Sequence, residues 1–219
     1  MHRVFSPAVT LAITLFLLFS NPSSSGVIPP DSSGFGKSLG DWQLSYWTAT
    51  LTGAAGSRDG RVLLMPLPDG VFNPDTSNVE GELAIEIRAG TPFFLPIFVF
   101  IGESYVQMVP DDDPADFEGP FLDNPGLSAL ITMDGKALID SATDDLSAFY
   151  SGPVFFDPEI TDGYPAPRGV GLDAASAIWV QGLGFAHPPL SVGEHELHLL
   201  VDTGLGFGFD NTWHITVRP

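Results

Sequence analysis

The sequence predicts a mainly β protein, a single β-sandwich or jelly-roll-like domain with one N-terminal helix packed on it. Three observations carry this. Glycine and proline are abundant, 24 and 20 of 219 residues, and they fall between short apolar runs, as in strands joined by turns. Leu83, Ile85 and Ile87 alternate with Ala84, Glu86 and Arg88, the period of a half-buried strand. Phe93 to Ile101 is then a continuous apolar run about half as long as a membrane helix, and it reads as a core strand covered on both faces. Pro96 cannot donate to a ladder, so it marks a bulge or an edge.

Taken in order, residues 1–25 read as a secretory signal peptide. Arg3 supplies a positive start, Ala8 to Phe19 is apolar, and Ser23-Ser24-Ser25 supplies small residues for cleavage after Ser25. Sites one to three residues later match nearly as well. Residues 26–35 read as a linker, and the sandwich is expected over residues 36–219. Ser38 followed three residues on by Asp41 is a helix start, with Leu39, Trp42 and Tyr46 on one face and Gly53 as the stop. These aromatics read as the face lying on a sheet rather than as a sugar-stacking platform. Arg61 to Pro68 is the next expected strand. Ser128 to Met133 and Lys136 to Asp140 are expected to pair through Asp134-Gly135, a dipeptide that tolerates positive φ at both positions. Thr143 to Tyr150 predicts a short helical turn capped by Thr143. Val154 to Ile160, Ser176 to Leu183, His195 to Asp202 and Asn211 to Val217 complete the set of strands.

Composition narrows the function. Eight Lys and Arg face 27 Asp and Glu, a net charge of −19, and the basic residues do not cluster. Phosphate binding needs such clusters, so nucleic acid is excluded as the expected partner. With the leader removed the balance is 7 against 27, or −20. The chain has no cysteine, which excludes a thiol nucleophile, a zinc-thiolate centre and a lipid-modified cysteine. An exported chain without disulfides or an Asn-x-Ser/Thr sequon fits a bacterial product, secreted or periplasmic and not integral to the membrane.

Four motifs run in order along the chain: Gly36-Lys37-Ser38-Leu39-Gly40-Asp41-Trp42, Phe93-Phe94-Leu95-Pro96-Ile97, Met133-Asp134-Gly135-Lys136 and Val192-Gly193-Glu194-His195. Together they resemble a group of secreted bacterial proteins of unassigned function. This chain departs from the group in having Phe94-Leu95-Pro96 where the relatives join Phe to Pro directly, and in lacking cysteines that several relatives carry. The resemblance implies an exported β-rich domain, and it brings no catalytic residues with it.

The acidic stretch after the core strand holds the metal candidates. Asp111, Asp112, Asp113 and Asp116, with Glu118 and Asp123 nearby, are hard oxygen donors of the kind calcium takes, although the spacing is not that of a known calcium loop. Calcium is the one cofactor this pattern suggests; the bland reading is a solvated acidic face. Among the histidines, His195 and His198 lie three apart on a strand and point to opposite faces, while His214 sits two strands' length away in sequence, ready to meet one of them. For carboxylate hydrolysis the nominees are Glu103 with Asp157 or Glu159. No nucleophile elbow, zinc-protease motif or phosphate loop is present, and Gly204 to Gly208 reads as a hairpin loop. The expectation leans away from catalysis: a non-catalytic binding or structural module, with carbohydrate or another cell-surface ligand as partner. The alternative is a secreted, glycosidase-like carboxylate hydrolase.

Overall fold

The computed structural model describes residues 26–28, 33–107, 109–161, 167–168 and 172–219. The expected signal peptide, residues 1–25, lies outside them, as does part of the expected linker.

The first regular element is helix α1, Leu39–Leu51. Its start is the capping box the sequence announces: Asp41 N–H donates to Ser38 Oγ, and the Asp41 carboxylate accepts from Ser38. Trp42 and Tyr46 are buried against Phe94, and each is fixed by a hydrogen bond. Trp42 Nε1–H donates to Gly34 O at 2.7 Å and Tyr46 O–H to Met65 O at 2.8 Å. The aromatics of this helix are therefore packing residues.

Twelve strands follow: β1 (Arg58–Asp59), β2 (Val62–Leu64), β3 (Val71–Asn73), β4 (Asn78–Arg88), β5 (Phe93–Tyr105), β6 (Ser128–Met133), β7 (Lys136–Asp140), β8 (Tyr150–Ile160), β9 (Pro167–Arg168), β10 (Leu172–His187), β11 (Gly193–Asp202) and β12 (Gly208–Arg218). They form two sheets. The first runs β1-β2-β5-β10-β8, with β9 also on β10; the second runs β3-β4-β12-β11-β6-β7. All pairings are antiparallel except β2 with β5 and β4 with β12. The sheets enclose the main apolar core, which includes Phe93, Leu95, Ile131, Leu183, Leu197 and Trp213. Helix α1 covers the outer face of the first sheet over two smaller clusters. Among the described residues, no helix covers the outer face of the second.

The apolar run is β5, flanked by β2 and β10 and buried on both faces from Phe93 to Phe98. Pro96 marks a bulge: Leu183 pairs with Phe98 and Gly184 with Pro96, leaving Ile97 extra. The Asp134-Gly135 turn has positive φ at both residues, 53° and 73°, as expected. Other boundaries differ from the sequence reading. The turn before β8 is a 3₁₀ turn at Leu146–Phe149 capped by Asp145, not by Thr143, because the Asp145 carboxylate reaches Ser147 N–H at 2.9 Å. The short strands β1 and β3 have no apolar period of their own. Part of the expected linker is built into the fold, since Val27 is buried in the main core and Ile28 N–H bonds Ala186 O at 3.0 Å.

Candidate functional site

The acidic stretch closes one end of the sandwich. Asp112 is its anchor. Its backbone N–H donates to Glu103 O at 3.0 Å, while its carboxylate accepts from Glu103 N–H at 3.0 Å and from Tyr105 O–H at 2.8 Å. Two side chains from β10 reach the same stretch: Trp179 Nε1–H bonds Asp112 O at 2.9 Å, and Gln181 Nε2–H bonds Pro114 O at 3.0 Å. Asp113 caps the 3₁₀ turn Pro114–Phe117 through Ala115 N–H. A one-turn helix follows at Gly119–Leu122. These turns drive Phe117 and Phe121 into the mouth between the sheets, where Phe121 meets Phe98 at 5.1 Å and Phe117 meets Trp179 at 5.6 Å between ring centroids. The two phenylalanines are four apart behind an Asp-Pro start, a helix-turn signal that the surrounding charge obscures.

The four metal candidates are divided by this packing. Asp112 turns inward to protein donors, whereas Asp111, Asp113 and Asp116 remain exposed. Among the described residues, no three His, Cys, Asp or Glu side chains come together as a metal-holding group.

The hydrolase nominees are separated as well. Glu103 pairs in register with Ala177, which also pairs with Ile160; Ala177 and Ile160 belong to the cluster under helix α1. Ser104, Ser176 and Glu159 are on the other face, linked by hydrogen bonds of 2.6 and 2.5 Å. Glu103 and Glu159 thus project from opposite sides of one sheet, and no substrate bond fits between them. Asp157 is exposed near the edge of that sheet. The displaced carboxyl groups of Asp59, Asp134 and Asp145 are all lowered, the wrong direction for a general acid.

The histidines do not converge. His195 is half-buried, with Nδ1 at 2.8 Å from Asp134 Oδ2 and Nε2 at 3.0 Å from Ser191 O. Both of these oxygens accept, which suits the doubly protonated ring, and the Ser191 hydroxyl lies 3.2 Å from the same Nε2. Its pKa is raised, chiefly by Asp134. His198 pairs with Asp210 at 2.7 Å. His214 lies opposite Glu196 and is 3.9 Å from both Glu196 and Glu82.

What the second sheet does assemble is a face. Glu82 and Glu86 on β4, Asp210 and His214 on β12, and Glu196 and His198 on β11 stand on its outer side, while Trp213, Ile215 and Leu197 point to the core. The register sets His214 directly opposite Glu196 on β11, with Glu82 on β4 diagonal to it, and places Asp210 diagonal to His198. The surface is strand-flat and acidic, and no helix among the described residues covers it. By contrast, all four tryptophans are buried or half-buried, so no exposed indole platform exists.

The sequence matches no protein-family model and no curated protein. The solution structure of amebosin aligns with 65% of this chain and 98% of its own at 11% identity, with a TM-score of 0.22. That likeness carries no argument about fold or function.

Proposed function

We propose that this is an exported, acidic β-sandwich protein of the non-catalytic binding kind, and that the outer face of the second sheet is its binding surface. The observation that carries the reading is the grouping on that face, where His214 on β12 stands in solvent with Glu196 opposite it on β11 and Glu82 diagonal to it on β4, each 3.9 Å away. Carboxylates grouped on a flat surface accept hydrogen bonds from hydroxyls and attract ammonium groups. The ligand that suits both is a cell-surface carbohydrate bearing amino groups.

The test is retention of the exported protein on an amino polysaccharide and on its N-acetylated, uncharged form. Retention on the first, weakened by salt and by Glu82→Gln with Glu196→Gln, is the expected result. Equal retention of the double variant would overturn the assignment of this face. Release of reducing ends, abolished by Glu103→Gln, would replace binding with carboxylate hydrolysis.

A further inference from the structure

The segment that opens the described chain is seated in a pocket, and the pocket has the chemistry of an ammonium site. Gly26, His187, Asp134, Asp140, Asp144 and Leu138 line a cavity of about 590 Å³ beside the β6–β7 hairpin. His187 forms its inner wall. It is 5% exposed, stacks on Phe93 with centroids 4.9 Å apart, and holds Nδ1 at 2.6 Å from Pro188 O. A carbonyl only accepts, so Nδ1 carries the proton and Nε2 is left as a bare acceptor. Burial, partly opposed by the Pro188 carbonyl, lowers the His187 pKa and favours this neutral form. No donor to Nε2 is present among the described side chains. Gly26 faces it: a Cβ added there would stand 2.9 Å from Nε2.

We propose that leader removal falls between Ser25 and Gly26, and that the α-ammonium thus created on Gly26 is held in this pocket, donating to His187 Nε2 and facing the Asp134, Asp140 and Asp144 carboxylates. Lys136, also on the rim, and the His195 imidazolium paired with Asp134 are the opposing charges. This rests on the reading of the chain as exported. The cleavage position follows from packing as well as from the small residues before it. A cut after Ile28 would remove Val27 from the core, where it is 7% exposed, and the Ile28–Ala186 backbone bond. A cut after Gly26 would remove the residue that faces the ring. Glycine suits the position because any side chain there meets the imidazole.

Intact-mass analysis of the exported protein reads the first residue, and the reaction of its α-amine with an acylating reagent at neutral pH reads the latch. A chain beginning at Gly26 is expected, with an amine pKa raised by at least about one unit above the ordinary 7.7–8.0, and so acylated about tenfold more slowly than in urea. Asp144→Asn and His187→Phe, which keeps the stack on Phe93, should each restore part of the rate. If His187→Phe does not fold, Asp144→Asn alone decides. A first residue of Val27 or later overturns the cleavage site and the latch together. A chain that begins at Gly26 with an ordinary, freely acylated amine overturns the latch and leaves the export reading standing. A chain that retains Met1 overturns the export reading itself.

Discussion

The His195–Asp134 pair shows how one turn residue serves two ends. Asp134 takes positive φ in the hairpin, and its carboxylate accepts both His195 Nδ1–H and Glu196 N–H. Burial is the largest single influence on its pKa and acts upward, but those hydrogen bonds and the charges of His195 and Lys136 outweigh it and hold the pKa below 3.8. The His195 pKa is raised above 6.5. A depressed acid contributes stability above its unfolded value, lost as pH falls through the folded pKa. A raised histidine contributes below its unfolded value, lost as pH rises through the folded pKa. The pair is therefore fully effective between about pH 4 and 6.5. Asp134→Asn, which still tolerates the turn, should bring the His195 titration, followed by NMR, back towards 6.5. Because Asp134 is half in solvent, the stability lost should stay below about 1 kcal/mol, larger at pH 6 than at pH 9. Gly102 is constrained far more severely. A Cβ there would lie 1.9 Å from the Trp179 ring, which crosses it to reach Asp112 O. Gly102→Ala should cost about 3 kcal/mol or more in urea unfolding, and an unchanged midpoint would refute that crossing.

At the scale of the element, the acidic stretch behaves as a plug whose hold is aromatic and backbone-directed. Phe98 touches Phe100, Phe121, Phe207 and Phe209. Phe98→Ala should cost about 3–5 kcal/mol, and Phe121→Ala, from the plug itself, a similar amount. A thermal melt in millimolar calcium against chelator, repeated in magnesium, probes the exposed Asp111, Asp113 and Asp116. With Asp112 committed to Glu103 and Tyr105, calcium and magnesium should give the same small shift. A rise specific to calcium, abolished by Asp111→Asn with Asp113→Asn, would contradict this arrangement.

For the whole molecule the governing quantity is charge. Eight basic residues against 27 acids leave the chain at −19, and the outer face of the second sheet concentrates part of it. Self-repulsion of this kind opposes the compact state, and salt relieves it as the Debye length falls from about 30 Å at 0.01 M to about 8 Å at 0.15 M. The melting temperature should rise across that range. Each kcal/mol recovered is worth about 2–4 °C for a chain of this size. A flat or falling curve would show that ion pairs such as Arg218–Glu86 matter more to stability than net repulsion.

The sequence by itself determined whatever is written within a few residues: the Ser38–Asp41 capping box, the Asp134-Gly135 turn, and the alternation of β4, β11 and β12. Each depends on a hydrogen bond or a side-chain period spanning at most one turn or a few strand positions. The tertiary structure decided which strand lies beside which, and with it the candidate site. The parallel pairs β2–β5 and β4–β12, the passage of Trp179 over Gly102, and the opposite facing of Glu103 and Glu159 depend on registers and bulges between segments far apart in sequence. Phe117 and Phe121 belong to the same class, because an apolar pair inside a charged stretch is pulled in only once two sheets leave a mouth for it. Alternation along one strand says which residues share a face. It does not say what stands on the next strand, and the grouping of Glu82, His214 and Glu196 exists only in that second dimension, where burial across the sandwich sets the register.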